Sequence, residues 1–148
     1  MSLFFERSQH MKEKTIFLID GENISYKKAD QIDAITVQIE NVTDRKVYHR
    51  WGDPITRAWT ELSKARGYKD ICLFGGPEKN KIDRKMQKDA RRYMKAPDIE
   101  AVYIVTSDAG FRCLAKDACM AGKMLCFIGE KKTPERLRLA GTLFIELE

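Results

Sequence analysis

The sequence predicts an α/β fold built on a mostly parallel sheet, and three observations carry that reading. From Thr15 onward, short β-branched or aromatic runs alternate with segments of helix length, the pattern of repeated β-α units. Two of the runs, Ile16-Phe17-Leu18-Ile19 and Val102-Tyr103-Ile104-Val105, are continuously apolar, as strands covered on both faces are. Each then meets an aspartate, Asp20 after the first run and Thr106-Ser107-Asp108 after the second. Ligands and chemistry in an open α/β sheet lie at the carboxyl ends of the strands, so the two aspartates point to one acidic site.

The elements follow in order. The first strand is expected over 15–20, and a helix over 28–42 places Ala29, Ile32, Ile35 and Ile39 on one face. A second strand over 46–51 alternates Val47, His49 and Trp51 with Tyr48 and Arg50. The helix over 55–66, with Ile55, Ala58, Trp59 and Leu62 inward, stops at Gly67. A third strand over 70–74 meets a turn at Gly75-Gly76-Pro77. In the helix over 82–95, Met86, Ala90 and Tyr93 form the inward stripe, and Asp83 sits near the first turn. A strand over 101–106, a helix over 111–121 closed by Gly122 and a strand over 124–128 come next. A short helix over 134–140 begins with a proline, which suits a first turn, and a last strand covers 143–147.

A chain of 148 residues is most simply one domain, taken here as 14–148, preceded by a loosely ordered extension over 1–13 that shows no period. No apolar run approaches the roughly 20 residues that span a bilayer, which argues against a membrane protein. The opening Met1-Ser2-Leu3-Phe4-Phe5-Glu6-Arg7 places acid and base directly after a very short apolar run, unlike a secretory signal, so a cytoplasmic location is expected. Cys72, Cys113, Cys119 and Cys126 form no CxxC pair and are expected to act as small core residues. His10 and His49 have no partner pattern either, so zinc chemistry and a Cys/His nucleophile find no support.

Charge is concentrated rather than spread. Between Lys79 and Lys95 stand eight basic residues against two acidic ones, a local excess of six in a chain whose net charge is +5. A basic face beside an acidic pocket suits an enzyme acting on a polyanion. A third carboxylate, Asp83, lies within that basic segment. Three carboxylates at one sheet edge repel each other unless a divalent cation holds them, and an oxygen-rich site suits Mg²⁺ or Mn²⁺.

Three motifs in order, Phe17-Leu18-Ile19-Asp20-Gly21-Glu22-Asn23, Lys81-Ile82-Asp83 through Asp89-Ala90, and Ile104-Val105-Thr106-Ser107-Asp108-Ala109-Gly110-Phe111, resemble the NYN family of PIN-like ribonucleases. The closing Leu139-Ala140-Gly141-Thr142-Leu143-Phe144-Ile145-Glu146-Leu147 is similar to that family's end, so the likeness spans about residues 15–147. The resemblance implies a three-layer α/β/α sandwich, PIN-like, that hydrolyses RNA phosphodiesters with Mg²⁺ or Mn²⁺. Asp20, Asp83 and Asp108 become the catalytic metal ligands, and Asn23 orients a ligand or water. Asp89 matches the family's second helical aspartate, but six residues turn a helix by about 600°, which leaves it roughly 240° around from Asp83 and fit only for support.

The chemistry agrees with that assignment. Thr106 and Ser107 are candidates to hydrogen-bond the carboxylates or a phosphate. Lys79, Lys81, Arg84, Lys85, Lys88 and Arg92 are candidates to hold an RNA backbone, which predicts weak sequence preference and strong salt dependence. Tyr26, Trp51 and Tyr93 are read first as packing residues and second as platforms for unpaired bases of single-stranded RNA. A homodimer is compatible with the sequence.

One departure stands out, because the family usually carries a second aspartate where this chain has Gly110. The alternative reading is therefore a weakly active or inactive NYN-like module that binds RNA or a protein partner. A dinucleotide-binding domain fits the alternation but needs a G-x-G-x-x-G loop after the first strand, where this chain reads Asp20-Gly21-Glu22-Asn23.

Overall fold

The computed structural model describes residues 13–54, 57–74 and 80–148. The extension over 1–12, the helix start at Ile55, the turn at Gly75-Gly76-Pro77 and the candidate Lys79 lie outside the described residues. Within them run the strands β1 Lys14–Asp20, β2 Val42–Arg50, β3 Lys69–Leu73, β4 Ile99–Val105, β5 Met124–Gly129 and β6 Leu143–Glu146. The helices are α1 Ala29–Thr36, α2 Arg57–Arg66, α3 Lys81–Met94, α4 Leu114–Ala121 and the single turn α5 Glu135–Arg138. Short 3-10 turns, Tyr26–Lys28 and Ala109–Cys113, lead into α1 and α4.

The six strands form one sheet in the order β3-β2-β1-β4-β5-β6, and every neighbouring pair is parallel. This order is that of doubly wound folds, with the switch point between β1 and β4. There Leu18 lies opposite Ile104 and Ile19 opposite Val105, so Asp20 and Thr106 leave the sheet side by side. The two buried-strand patterns of the sequence are thus the two central strands.

Alternation along the strands divides the core between the two faces. Phe17 and Ile19 meet Ala29 and Ile32 of α1 and Trp59 of α2 on one face. Ile16 and Leu18 meet Ile82, Met86 and Ala90 of α3, Leu114 and Ala118 of α4, and Leu137 of α5 on the other. The result is a three-layer α/β/α sandwich. In α3 the buried residues recur every four positions through Ile82, Met86, Ala90 and Met94, the spacing of a single helix face. Gly67 and Gly122 end α2 and α4 with φ of +77° and +68°, left-handed values at which a side chain is disfavoured. No helix among the described residues is long and apolar enough to cross a membrane.

Several boundaries and burials depart from the sequence reading. The first helix stops at Thr36 rather than 42, and Asn41, at φ 58°, turns the chain into a strand that starts at Val42. Repeating Ile35 and Ile39 on the helical face concealed that turn. Trp51 lies beyond the end of β2 and is 67% exposed, so it is not a packing residue. Cys126 is buried and Cys72 half-buried, but Cys113 and Cys119 are exposed, because they fall on the outer side of the α4 region, and all four thiols are free.

One buried polar contact joins sheet to helix. The Tyr48 hydroxyl on β2 donates to Asp89 Oδ2 on α3 at 2.7 Å, and Lys85 Nζ reaches Asp89 Oδ1 at 3.0 Å. Burial pushes the Asp89 carboxyl up, but the hydrogen bonds from Tyr48 and Lys85 outweigh it and hold it below the ordinary carboxylate range. Tyr48→Phe is expected to cost about 1–3 kcal/mol, because it leaves a buried carboxylate oxygen without its donor. Urea unfolding at neutral pH measures it, and a cost near zero would show that the contact does not anchor α3.

Candidate metal centre

Asp20 closes β1 and is fully buried. Its Oδ2 accepts from Asn23 Nδ2 at 2.6 Å and from Thr106 Oγ1 at 2.9 Å, while its buried Oδ1 has no hydrogen-bond partner. Burial pushes this carboxyl above the ordinary range despite the two side-chain bonds. The turn that follows needs Gly21: a Cβ there would stand 2.8 Å from the Tyr48 carbonyl oxygen and 3.1 Å from the Trp59 ring. This close approach lets the chain fold back under the strand end, and the Asp20 carbonyl accepts from the amides of Asn23 and Ile24.

Asp108 reaches the same edge from β4. It caps the 3-10 turn, with Oδ1 accepting from the Gly110 amide at 2.8 Å, and its own amide donates to Thr106 Oγ1 at 3.1 Å. One threonine hydroxyl therefore accepts from the backbone of Asp108 and donates to the carboxylate of Asp20. Asp83 comes from the first turn of α3, whose amino end follows the carboxyl end of β3 and whose buried face packs over β1 and β4.

The three carboxylates feel one another. The Asp83 carboxyl is pushed up to about 7, first by burial, then by the charge of Asp20, then by a hydrogen bond to Asp108 and its charge. Glu22 adds a smaller push to Asp83, although Arg50 Nε lies 2.9 Å from Glu22 Oε1 and draws off part of its charge. Sequence reasoning gives Glu22 no role; its signal was an acid two residues after a strand-terminal aspartate.

This donor set fits a hard divalent cation in kind: oxygens only, crowded like charges, and one buried oxygen without a partner. The side chains nevertheless stand wider apart than a closed ligand shell requires. Among the described residues no group of three or more His, Cys, Asp or Glu side chains is close enough to hold an ion as it stands. The raised proton affinity of Asp83 relieves the repulsion instead.

The remaining candidates separate into two groups. Asn23 and Thr106 touch Asp20 directly and position it. Ser107 turns elsewhere: its Oγ accepts from the Glu130 amide and from Thr133 Oγ1, both at 2.9 Å, and so secures the loop after β5. Asp89 also turns from the acidic edge, to Tyr48 and Lys85, as its rotation around α3 requires. Of the basic residues, Lys81 Nζ is bonded to the Phe74 carbonyl, Lys85 is committed to Asp89, and Arg92 lies 3.8 Å from Asp89 and over the Tyr93 ring. Arg84, Lys88 and Arg92 are exposed at four-residue spacing and form one cationic ridge on the outside of α3.

Comparison with known proteins identifies a family and a shared fold. The sequence matches the NYN domain over residues 14–148. The fold is similar to a crystal structure of a Vibrio parahaemolyticus protein of unknown function, with a TM-score of 0.77, 21% identity, and coverage of 93% of this chain and 94% of that one. No curated protein sequence matches the chain.

A carboxyl whose proton affinity rises on folding stabilises the protein while protonated and loses that advantage as pH climbs through its folded value. In EDTA the melting temperature is therefore expected to fall between about pH 5 and pH 8, the window that Asp83 sets. Asp83→Asn should flatten that fall and raise the melting temperature at pH 8. An unchanged slope would mean that the acidic edge is not under charge repulsion.

Proposed function

The chain belongs to the NYN domain family, within the PIN-like nuclease superfamily, and on that premise we propose that it is a metal-dependent ribonuclease of the cytoplasm. The observation that supports this most is that Asp20, Asp83 and Asp108 stand at one end of the sheet, near enough for burial and the neighbouring charges to push the Asp83 carboxyl up to about 7. In this reading Asp20, Asp83 and Asp108 would hold Mg²⁺ or Mn²⁺, and the unpartnered oxygen of Asp20 is the donor left for it. When bound, the cation supplies Lewis acidity that makes hydroxide available near neutral pH and offsets charge on the phosphoryl oxygens.

The protein's own groups do the rest. Asn23 and Thr106 fix Asp20 through one oxygen and leave the other unpartnered. Thr106 also fixes the backbone of Asp108, so that two ligands from different strands share one support. Arg84, Lys88 and Arg92 contact phosphates of a single strand without reading its bases. Binding should then weaken by a similar factor for all sequences as salt rises, in proportion to the phosphates neutralised.

A labelled single-stranded RNA incubated with Mn²⁺ or Mg²⁺ is expected to be cut, and EDTA or Asp20→Asn to abolish the cleavage. RNA binding without metal-dependent cleavage would replace the enzyme with a binding module, the reading that Gly110 favours. Gly110 gives the second test. A Cβ there would lie 3.2 Å from Asp108 Oδ1, so Gly110→Asp adds a carboxylate beside Asp108. If the missing carboxylate limits metal binding, that variant tightens Mn²⁺ binding and raises the rate; an unchanged rate would mean three carboxylates suffice.

A further inference from the structure

Two large aromatic side chains stand open at the carboxyl edge, next to the acidic site but outside it. Trp51 and Phe74 are each 67% exposed, and each directly follows the end of a strand, β2 and β3. The Trp51 amide donates to the Leu73 carbonyl at 2.9 Å, which continues the strand ladder and holds the two backbones together. Their rings are stacked, with centroids 5.7 Å apart and planes 29° from parallel. The link to the acidic site is short: Arg50, next to Trp51, pairs with Glu22, two residues beyond Asp20. Lys81, two residues before Asp83, bonds the Phe74 carbonyl from the other side.

A cleft of about 350 Å³ adjoins this pair, lined among others by His49, Trp51, Asp53, Arg57 and Asp70. Its floor is polar and fixed. His49, with 3% of its side chain exposed, is bonded through Nε2 to Asp70, and Thr60 Oγ1 donates to Asp70 at 2.8 Å. The buried Nδ1 of His49 has no hydrogen-bond partner.

An open aromatic pair of this kind has two classes of occupant, a nucleobase or another protein surface. Two-thirds of two aromatic side chains comes to about 300 Å², short of the roughly 500 Å² per partner that a stable protein interface needs. A single base stacks face to face on one such ring, and stacking on an aromatic ring tolerates any base. The surroundings match a nucleotide as well: the cations Arg57 and Lys81 for phosphates, and a cleft with polar lining beside Trp51 for a ribose or base edge.

We propose that Trp51 and Phe74, with the cleft beside them, form a subsite that stacks an unpaired base of a single-stranded RNA whose backbone crosses the Asp20–Asp108 edge. The subsite deepens the ribonuclease reading and rests on it. It explains why the chain keeps two apolar rings in water at the ends of adjacent strands, where they bury nothing of its own core. It also makes the enzyme selective for unpaired strands, since a base within a duplex presents no free face.

The full chain in EDTA, which prevents cleavage, is titrated with a short oligouridylate, with an abasic ribose-phosphate chain of the same length, and with duplex RNA. Trp59 is fully buried, so a change in tryptophan emission reports Trp51. The oligouridylate is expected to quench the emission and to bind wild type at least about tenfold more tightly than Trp51→Ala, with Trp51→Phe keeping most of the affinity. The abasic chain should bind wild type and Trp51→Ala equally and without quenching, and duplex RNA should not quench. Melting curves of the variants matching wild type show that the fold is intact; a Trp51→Ala chain that unfolds leaves the abasic comparison on wild type to decide. Equal affinity of wild type for the base-bearing and abasic strands overturns the subsite while leaving RNA binding in place. Failure of every strand to bind overturns the subsite, whereas absence of cleavage with Mn²⁺ is the separate result that overturns the ribonuclease reading. Loss of self-association in Trp51→Ala with unchanged RNA affinity would assign the rings to a contact between copies of the chain.

Discussion

Carboxylate crowding at the switch point of a parallel sheet is the constraint around which this structure is arranged. Because β1 and β4 are neighbours whose connections diverge to opposite sides, their carboxyl ends open a crevice, and both ends carry an aspartate. Helix α3 adds Asp83 from above, and the turn after β1 adds Glu22. Like charges this close cannot all remain ionised without compensation. The fold supplies part of it through Asn23, Thr106 and Arg50, and protonation of Asp83 supplies more. A divalent cation is the compensation that the oxygen donors fit best.

The supporting structure makes the crowding tolerable. Asp20 is buried, yet one oxygen is fully bonded and its turn is pressed against β2 by a glycine that no larger residue could replace without moving the Tyr48 carbonyl or the Trp59 ring. Tyr48 also anchors Asp89, so the same residue packs under the β1 turn and holds α3, the helix that delivers Asp83. The outer side of that helix carries the cationic ridge of Arg84, Lys88 and Arg92. Acid toward the sheet edge and base toward solvent on one helix is an arrangement that would suit the proposed polyanionic substrate.

Much of this was legible in the sequence, and the reason is periodicity. Continuous apolar runs announced β1 and β4 as central strands, and the aspartates at their ends announced the crevice. The four-residue recurrence of Ile82, Met86 and Ala90 announced α3 and its buried face. What stayed hidden depends on contacts between distant segments. The rotation of Asp89 away from Asp83 could be counted along the helix, but its partner Tyr48, 41 residues away, could not. Ser107 sits beside Thr106 in sequence, yet adjacent residues leave a strand end in opposite directions, and it binds the loop after β5. Trp51 alternates correctly for a core residue, but the strand ends one position too soon to bury it. Exposure of Cys113 and Cys119 likewise follows from which side of a helix meets the sheet, not from residue type.

If the acidic edge is a cation site, its ligands include Asp20 and a carboxyl that is protonated below about pH 7 in the cation's absence. Calorimetric titration with Mn²⁺ in buffers of different ionisation enthalpy tests this most directly, because it counts the protons released on binding. The expected result is Mn²⁺ binding that releases close to one proton at pH 6 and almost none at pH 8, and that is lost in Asp20→Asn. Mn²⁺ binding with no proton release at pH 6, or binding unaffected by Asp20→Asn, would contradict it.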